Sequence, residues 1–181
     1  MTSDALSNQA ALRYEQARFD DSLRFGVQAA AAAARSVGES SPFGGLALQA
    51  QGRALVELGR PAEALPLLLR SITIFEQAEN PESRSLVDSL EAAAAACLAL
   101  KQPGRARPMA ERALAILDKH CAKSGQRAQV RFRLAQALAA EHQDPAQVDA
   151  LVGQAREELA PLAWKKWKLE QLEAWQRSRR R

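Results

Sequence analysis

A pattern of small and large apolar residues returns every 42 residues along this chain of 181, and that repeat narrows the possible folds more than any other property. The fullest copy runs Leu48, Gln51, Gly52, Leu55, Leu58-Gly59, Ala64, Leu68, Ser71 and Ile72. One period later the same slots hold Leu90, Ala93, Ala94, Cys97, Lys101, Ala106, Ala110, Ala113 and Leu114. A third copy gives Phe132, Ala135, Gln136, Ala139, Val148, Val152 and Ala155, and an upstream one Leu6, Gln9, Ala10, Ser22, Gly26 and Ala29. Each copy holds two stretches with helical spacing joined by a short break. Such a unit cannot bury its apolar face alone and must stack on copies of itself.

Alanine-rich composition with few aromatics and few β-branched residues favours helix throughout. Ser41-Pro42, Asn80-Pro81 and Asp144-Pro145 each read as an N-cap followed by proline in the first turn, with weaker starts at Pro61, Pro103 and Pro161. These marks predict nine helices, over 3–17, 19–37, 43–58, 61–78, 82–100, 104–122, 124–142, 145–158 and 161–178. The expected division is a repeat domain over 1–160, with units 3–37, 43–78, 82–122 and 124–158, and a separate basic helix over 161–181. Short connections force successive helices to pack antiparallel. Leu55, Leu68, Leu90, Phe132, Leu134 and Leu138 are the expected core, with small residues at Gly52, Ala64, Ala94 and Ala106 where paired helices cross.

This arrangement resembles the tetratricopeptide repeat. The residues that carry the likeness are Leu48, Gly52, Leu55, Leu58-Gly59, Ala64, Leu68 and Ile72, with Leu58-Gly59-Arg60-Pro61-Ala62-Glu63-Ala64-Leu65 as the turn between paired helices. The period of 42 matches the long-helix variants of the family, and the likeness is weakest in the first copy, where Arg13 occupies an apolar slot that Leu12 or Tyr14 could fill. The resemblance implies an all-α, right-handed superhelix of about four helix pairs and a C-terminal capping helix. It also implies a concave groove, lined by the first helix of each pair, that binds a peptide or a partner's helix.

By periodicity the groove-facing positions include Gln49, Arg53, Asp88, Glu91 and Arg133, so two arginines flank an acidic pair. The lysine and asparagine clamp with which some family members hold chaperone C-termini has no match in any register, since the relevant slots hold Ser7, Ala11, Gln49, Arg53, Glu91, Ala95, Arg133 and Ala137.

The second candidate region is the tail. Residues 164–181 carry seven basic side chains against Glu170 and Glu173, while the other 163 residues hold 18 basic and 19 acidic ones. All three tryptophans, Trp164, Trp167 and Trp175, lie on this helix with Lys168, beside a stripe of Leu162, Leu169 and Leu172. The leucines suit a cap over the last repeat. The tryptophan face is then available for a partner, for a second copy of the chain in a homo-oligomer, or for nucleic acid or an anionic surface held by Lys and Arg. A near-neutral body and the lack of a nucleic-acid fold argue against that last reading.

Nothing supports catalysis, a metal or a cofactor. His120 and Cys121 are adjacent and point about 100° apart on a helix, which prevents a nucleophile–base pair. Cys97 fills an apolar repeat slot and reads as core. No signal peptide or membrane span is apparent, so the chain reads as a cytoplasmic, non-catalytic interaction module.

Overall fold

Proline and short polar side chains start most of the helices. The computed structural model describes residues 1–120 and 124–179, so Cys121, Arg180 and Arg181 lie outside the described residues. The elements are α1 (Ser3–Glu15), α2 (Phe19–Ser36), α3 (Pro42–Glu57), α4 (Pro61–Ala78), α5 (Leu86–Ala99), α6 (Pro103–Lys119), α7 (Ser124–Ala140), α8 (Pro145–Leu159), a single 3₁₀ turn (Ala163–Lys165) and α9 (Lys166–Arg179). Among the described residues there is no strand, and no helix is long and apolar enough to cross a membrane. The second helices α2, α4, α6 and α8 begin at Phe19, Pro61, Pro103 and Pro145, each 42 residues after the last.

Two of the expected caps form. Ser41 Oγ accepts from the Gly44 N–H at 3.2 Å and Asp144 Oδ1 from the Ala146 N–H at 2.9 Å. The third does not, and α5 starts at Leu86 rather than at 82. Asn80 Oδ1 takes the Glu82 N–H at 2.9 Å, the Ser85 N–H goes to Ser83 Oγ, and both serine hydroxyls donate to Glu79. Short polar side chains here satisfy the backbone locally and compete with helix. The expected 161–178 helix likewise opens as a 3₁₀ turn before α9.

Each first helix ends in the same turn. Arg18, Arg60, Gln102 and Gln143 donate their N–H groups to Arg13, Leu55, Cys97 and Leu138, five residues back, which is the Schellman pattern. It requires a left-handed residue, and the chain places Ala17, Gly59, Lys101 and His142 there, with φ of 57°, 73°, 57° and 56°. Only one is glycine. Lys101→Gly is therefore expected to stabilise the protein by about 0.5–1 kcal/mol, seen as a higher urea midpoint at unchanged slope. A lower midpoint would refute this.

Successive helices pack as neighbours, and α1, α3, α5 and α7 also pack against one another in a row, while the second helices stand further apart, α4 and α6 meeting through the Glu76–Arg112 ion pair. The stack therefore curves with its first helices on the concave side. The core is as expected: Leu55, Leu68, Leu90, Phe132, Leu134 and Leu138 are buried, and Ala64, Ala94 and Ala106 are fully enclosed. Tyr14, not Leu12, fills the weak slot of the first repeat. Cys97 is buried, and burial pushes its thiol pKa up.

Candidate protein-binding groove

The periodic slots of the first helices converge on the concave face. Arg53 of α3 reaches across to Asp88 of α5 at 3.3 Å, with Glu15 of α1 on its other side at 3.8 Å. Its guanidinium lies over the Tyr14 ring, 4.0 Å from the centroid, the geometry of a cation–π contact. At the next interface along the stack, Arg133 of α7 pairs with Glu91 of α5 at 2.8 Å. Gln49 donates to the Ser85 carbonyl at 3.2 Å and to Ser89 Oγ at 3.0 Å, stitching α3 to α5. All five periodicity-derived groove residues thus lie on one surface. Gln49 and Glu91 are buried, however, and Arg53 and Arg133 keep little exposure. The charges of this face are therefore spent largely on one another rather than held out to solvent.

The chain's own tail lies in the groove. Lys168 of α9 is only 3% exposed and donates to Glu57 Oε1 at 2.9 Å and to Tyr14 Oη at 3.0 Å. Tyr14 Oη in turn donates to Glu57 Oε1 at 3.0 Å, closing a three-membered polar ring. Gln171, one turn along α9, donates to Glu57 Oε2 at 2.8 Å. Lys165 is equally buried and stands 3.5 Å from Glu15. Gly125 at the start of α7 lets the tail pass, since a Cβ there would sit 2.9 Å from Leu162 Cδ1.

The tryptophans divide. Trp167 packs edge-to-face against Tyr14 and Phe19 at centroid distances of 5.6 and 5.2 Å, and Trp175 against Phe132 at 5.6 Å. Such contacts contribute about 0.5–1.5 kcal/mol each beyond area burial. Trp164 alone remains exposed, at 57%. A tryptophan face left free by a leucine cap is therefore corrected: Leu172 joins the core, Trp167 is turned onto α1 and the start of α2, and Trp175 onto α7. Among the described residues no group accepts from the Trp167 indole N–H. Beneath α9 an open cleft of about 570 Å³ remains, lined by Glu57, Ala95, Arg133, Gln136, Ala140 and Trp175 among others.

Glu57 is the groove residue that periodicity did not single out. Burial alone would raise its pKa, but the Lys168 ammonium, Arg133, and the hydrogen bonds from Lys168 and Gln171 outweigh that and hold the carboxyl at about 2. Burial acts on Lys168 in the opposite sense and draws its ammonium pKa down, against the pull of Glu91 and Glu57. Tyr14 is raised, by burial first and by Glu57 second. A signal for Glu57 did exist. It and Glu15 are the last residues of α3 and α1, 42 apart, where a carboxylate opposes the negative end of the helix dipole. A charge in so unfavourable a place implies a cationic partner.

Because the folded pKa of Glu57 lies below its ordinary 4.5, its contribution is complete above that value and is lost as pH falls toward 2. Acidification from about pH 5 to pH 2 is expected to loosen α9 before the repeats unfold. Red-shifted tryptophan emission with far-UV helicity largely retained would report it. An emission maximum that stays fixed until helicity is lost would contradict it.

Two helices per unit, left-handed turns in step and a concave row of first helices define the architecture. A tetratricopeptide repeat family model matches residues 1–77 and again 52–119, well over half of the chain. The chain belongs to the tetratricopeptide repeat family. Among solved structures, the "nearly identical TPR-like repeats" of a putative kinesin light chain from Podosopora anserina superpose with a TM-score of 0.67 at 22% identity, covering 88% of this chain and 75% of that one. BtubC (BKLC) from P. vanneervenii gives 0.70 at 19% identity, covering 88% of this chain and 64% of that one. No curated protein matches the chain. Tetratricopeptide repeats mediate protein–protein contacts and typically serve as non-enzymatic scaffolds, and this repeat protein shares their all-helical solenoid.

Proposed function

We propose that this protein is a cytoplasmic, non-catalytic adaptor whose concave face receives a helical segment of a protein partner. The observation that carries this reading is α9 itself, a helix seated against the first helices through Lys168, Gln171, Trp167 and Trp175. A surface with matched hydrogen bonds, ion pairs and aromatic contacts for a helix has the properties a helix-in-groove receptor needs. The cleft below α9 leaves Gln136 and Ala140 reachable from solvent.

Photocross-linking tests the proposal. A photoreactive residue at Ala140, in the cleft, is expected to capture a distinct partner protein from cell extract. The same residue at Glu63, exposed on α4 away from the groove, is expected not to capture it. Identical products from both sites would overturn the groove reading.

A further inference from the structure

Three regions were candidates for a further role: the hollow between α2, α3 and α4 near Glu39 and Arg70, the small hollow beside Ser7 and Arg53, and the acidic sockets that hold α9. The first two offer nothing that selects a ligand. The third does, because an occupant is present and its chemistry can be read.

Glu15 and Glu57 are equivalent residues of successive repeats, each at the end of a first helix. Lys165 pairs with Glu15 and Lys168 with Glu57, and the two lysines are one helical turn apart in sequence. The step from one repeat to the next therefore matches a spacing of three residues on the bound segment. Charge agrees. The concave face carries four carboxylates (Glu15, Glu57, Asp88, Glu91) against two guanidiniums (Arg53, Arg133), and the two ammonium groups bring it to neutrality. Trp167, between the lysines, fits among Tyr14 and Phe19. Its indole N–H and the Nε of Arg53 find no acceptor among the described residues, so α9 leaves part of the polar surface unsatisfied.

We propose that Glu15 and Glu57, with Tyr14 and Phe19, form a two-site receptor for a basic helical segment of a partner protein. That segment bears lysines three residues apart with an aromatic residue before the second, and the 3₁₀ turn together with α9 is its intramolecular mimic. This rests on the groove reading above and specifies the partner's chemistry. A partner segment gains access by displacing α9, so affinity is set by competition with a tethered helix whose effective concentration is high. A segment lacking both ammonium groups leaves Glu15 and Glu57 uncompensated at their helix ends, which gives selectivity by exclusion as well as by attraction.

The test uses the full chain and a labelled synthetic peptide of residues 161–179. Peptide binding is followed by fluorescence anisotropy to the wild type and to the full-length double variant W167S/K168Q, whose own helix is weakened. The peptide is expected to bind the variant about tenfold or more tightly than the wild type. A peptide carrying Gln at both lysine positions is expected to bind the variant at least about tenfold more weakly than the native peptide. Amide exchange over Lys166–Arg179 is measured on the same variant. Slow exchange there would mean that Trp167 and Lys168 do not anchor the helix, and the proposal falls. It falls as well if α9 exchanges freely and the native peptide still does not bind, or if native and Gln peptides bind alike. Concentration-dependent dimers of the wild type by light scattering would assign the sockets to a second copy of this chain and overturn the partner assignment. Should the double variant not fold, K168Q alone gives the same comparison. Failure of the peptide with cross-linking at Ala140 intact would remove this inference and leave the adaptor reading standing.

Discussion

Glu57→Ala is expected to weaken the docking of α9 by about 3–5 kcal/mol, the cost of leaving buried cations without their carboxylate. Lys168 would lose its anionic acceptor, Arg133 a carboxylate 4.0 Å away, and Gln171 its acceptor. The helix can escape that cost by leaving the groove. The read-out is therefore faster amide exchange across Lys166–Arg179, by about a hundredfold or more, with little change in α4. Replacing both partners, as Glu57→Leu with Lys168→Met, is expected to restore much of the protection, because an apolar pair of similar volume removes the desolvation cost along with the attraction. If Glu57→Ala left exchange unchanged, the polar ring would contribute nothing to holding the tail.

The second large effect lies in the body. Gly52 of α3 packs so closely on α4 that a Cβ would sit 2.4 Å from Leu68 Cγ and 2.6 Å from its Cδ2. Leu68 is fully buried and has no room to retreat. Gly52→Leu is therefore expected to cost about 3 kcal/mol, the upper part of the overpacking range, despite the better helix propensity of leucine. Adding Leu68→Ala should return a substantial fraction, since the two side chains compete for one space. The measurement is denaturant unfolding of both singles and the double, and strict additivity of the two would refute the account.

How much of this could be read from residues alone depended on whether a contact repeats. Pro61, Pro103 and Pro145, the alanines at 64, 94 and 106, and Cys97 all sit in slots that periodicity assigns, because each repeat meets its neighbour in the same way. The same periodicity placed Arg53, Asp88, Glu91 and Arg133 on the groove face, although the two ion pairs they form span 35 and 42 residues and do not repeat one another. The start of α5 was not, because Asn80, Ser83 and Ser85 are good caps and equally good turn formers, and only the Glu79 contacts decide between them. The seat of the tail was out of reach as well. Lys168 meets Tyr14 across 154 residues, and no spacing along the chain specifies a contact made only once.

The seat of the tail alters how the molecule should fold. In an open array of repeats each unit touches only its neighbours, so stability is a local sum and the ends can fray independently. Here α9 joins the first pair, through Tyr14 and Phe19, to the last, through Phe132 and Asp149. The array becomes a closed circuit in which loss of α1 is felt at α8. It should gain two-state cooperativity that its repeats alone would lack, and it carries a set of contacts of high sequence separation that form only after both ends are built.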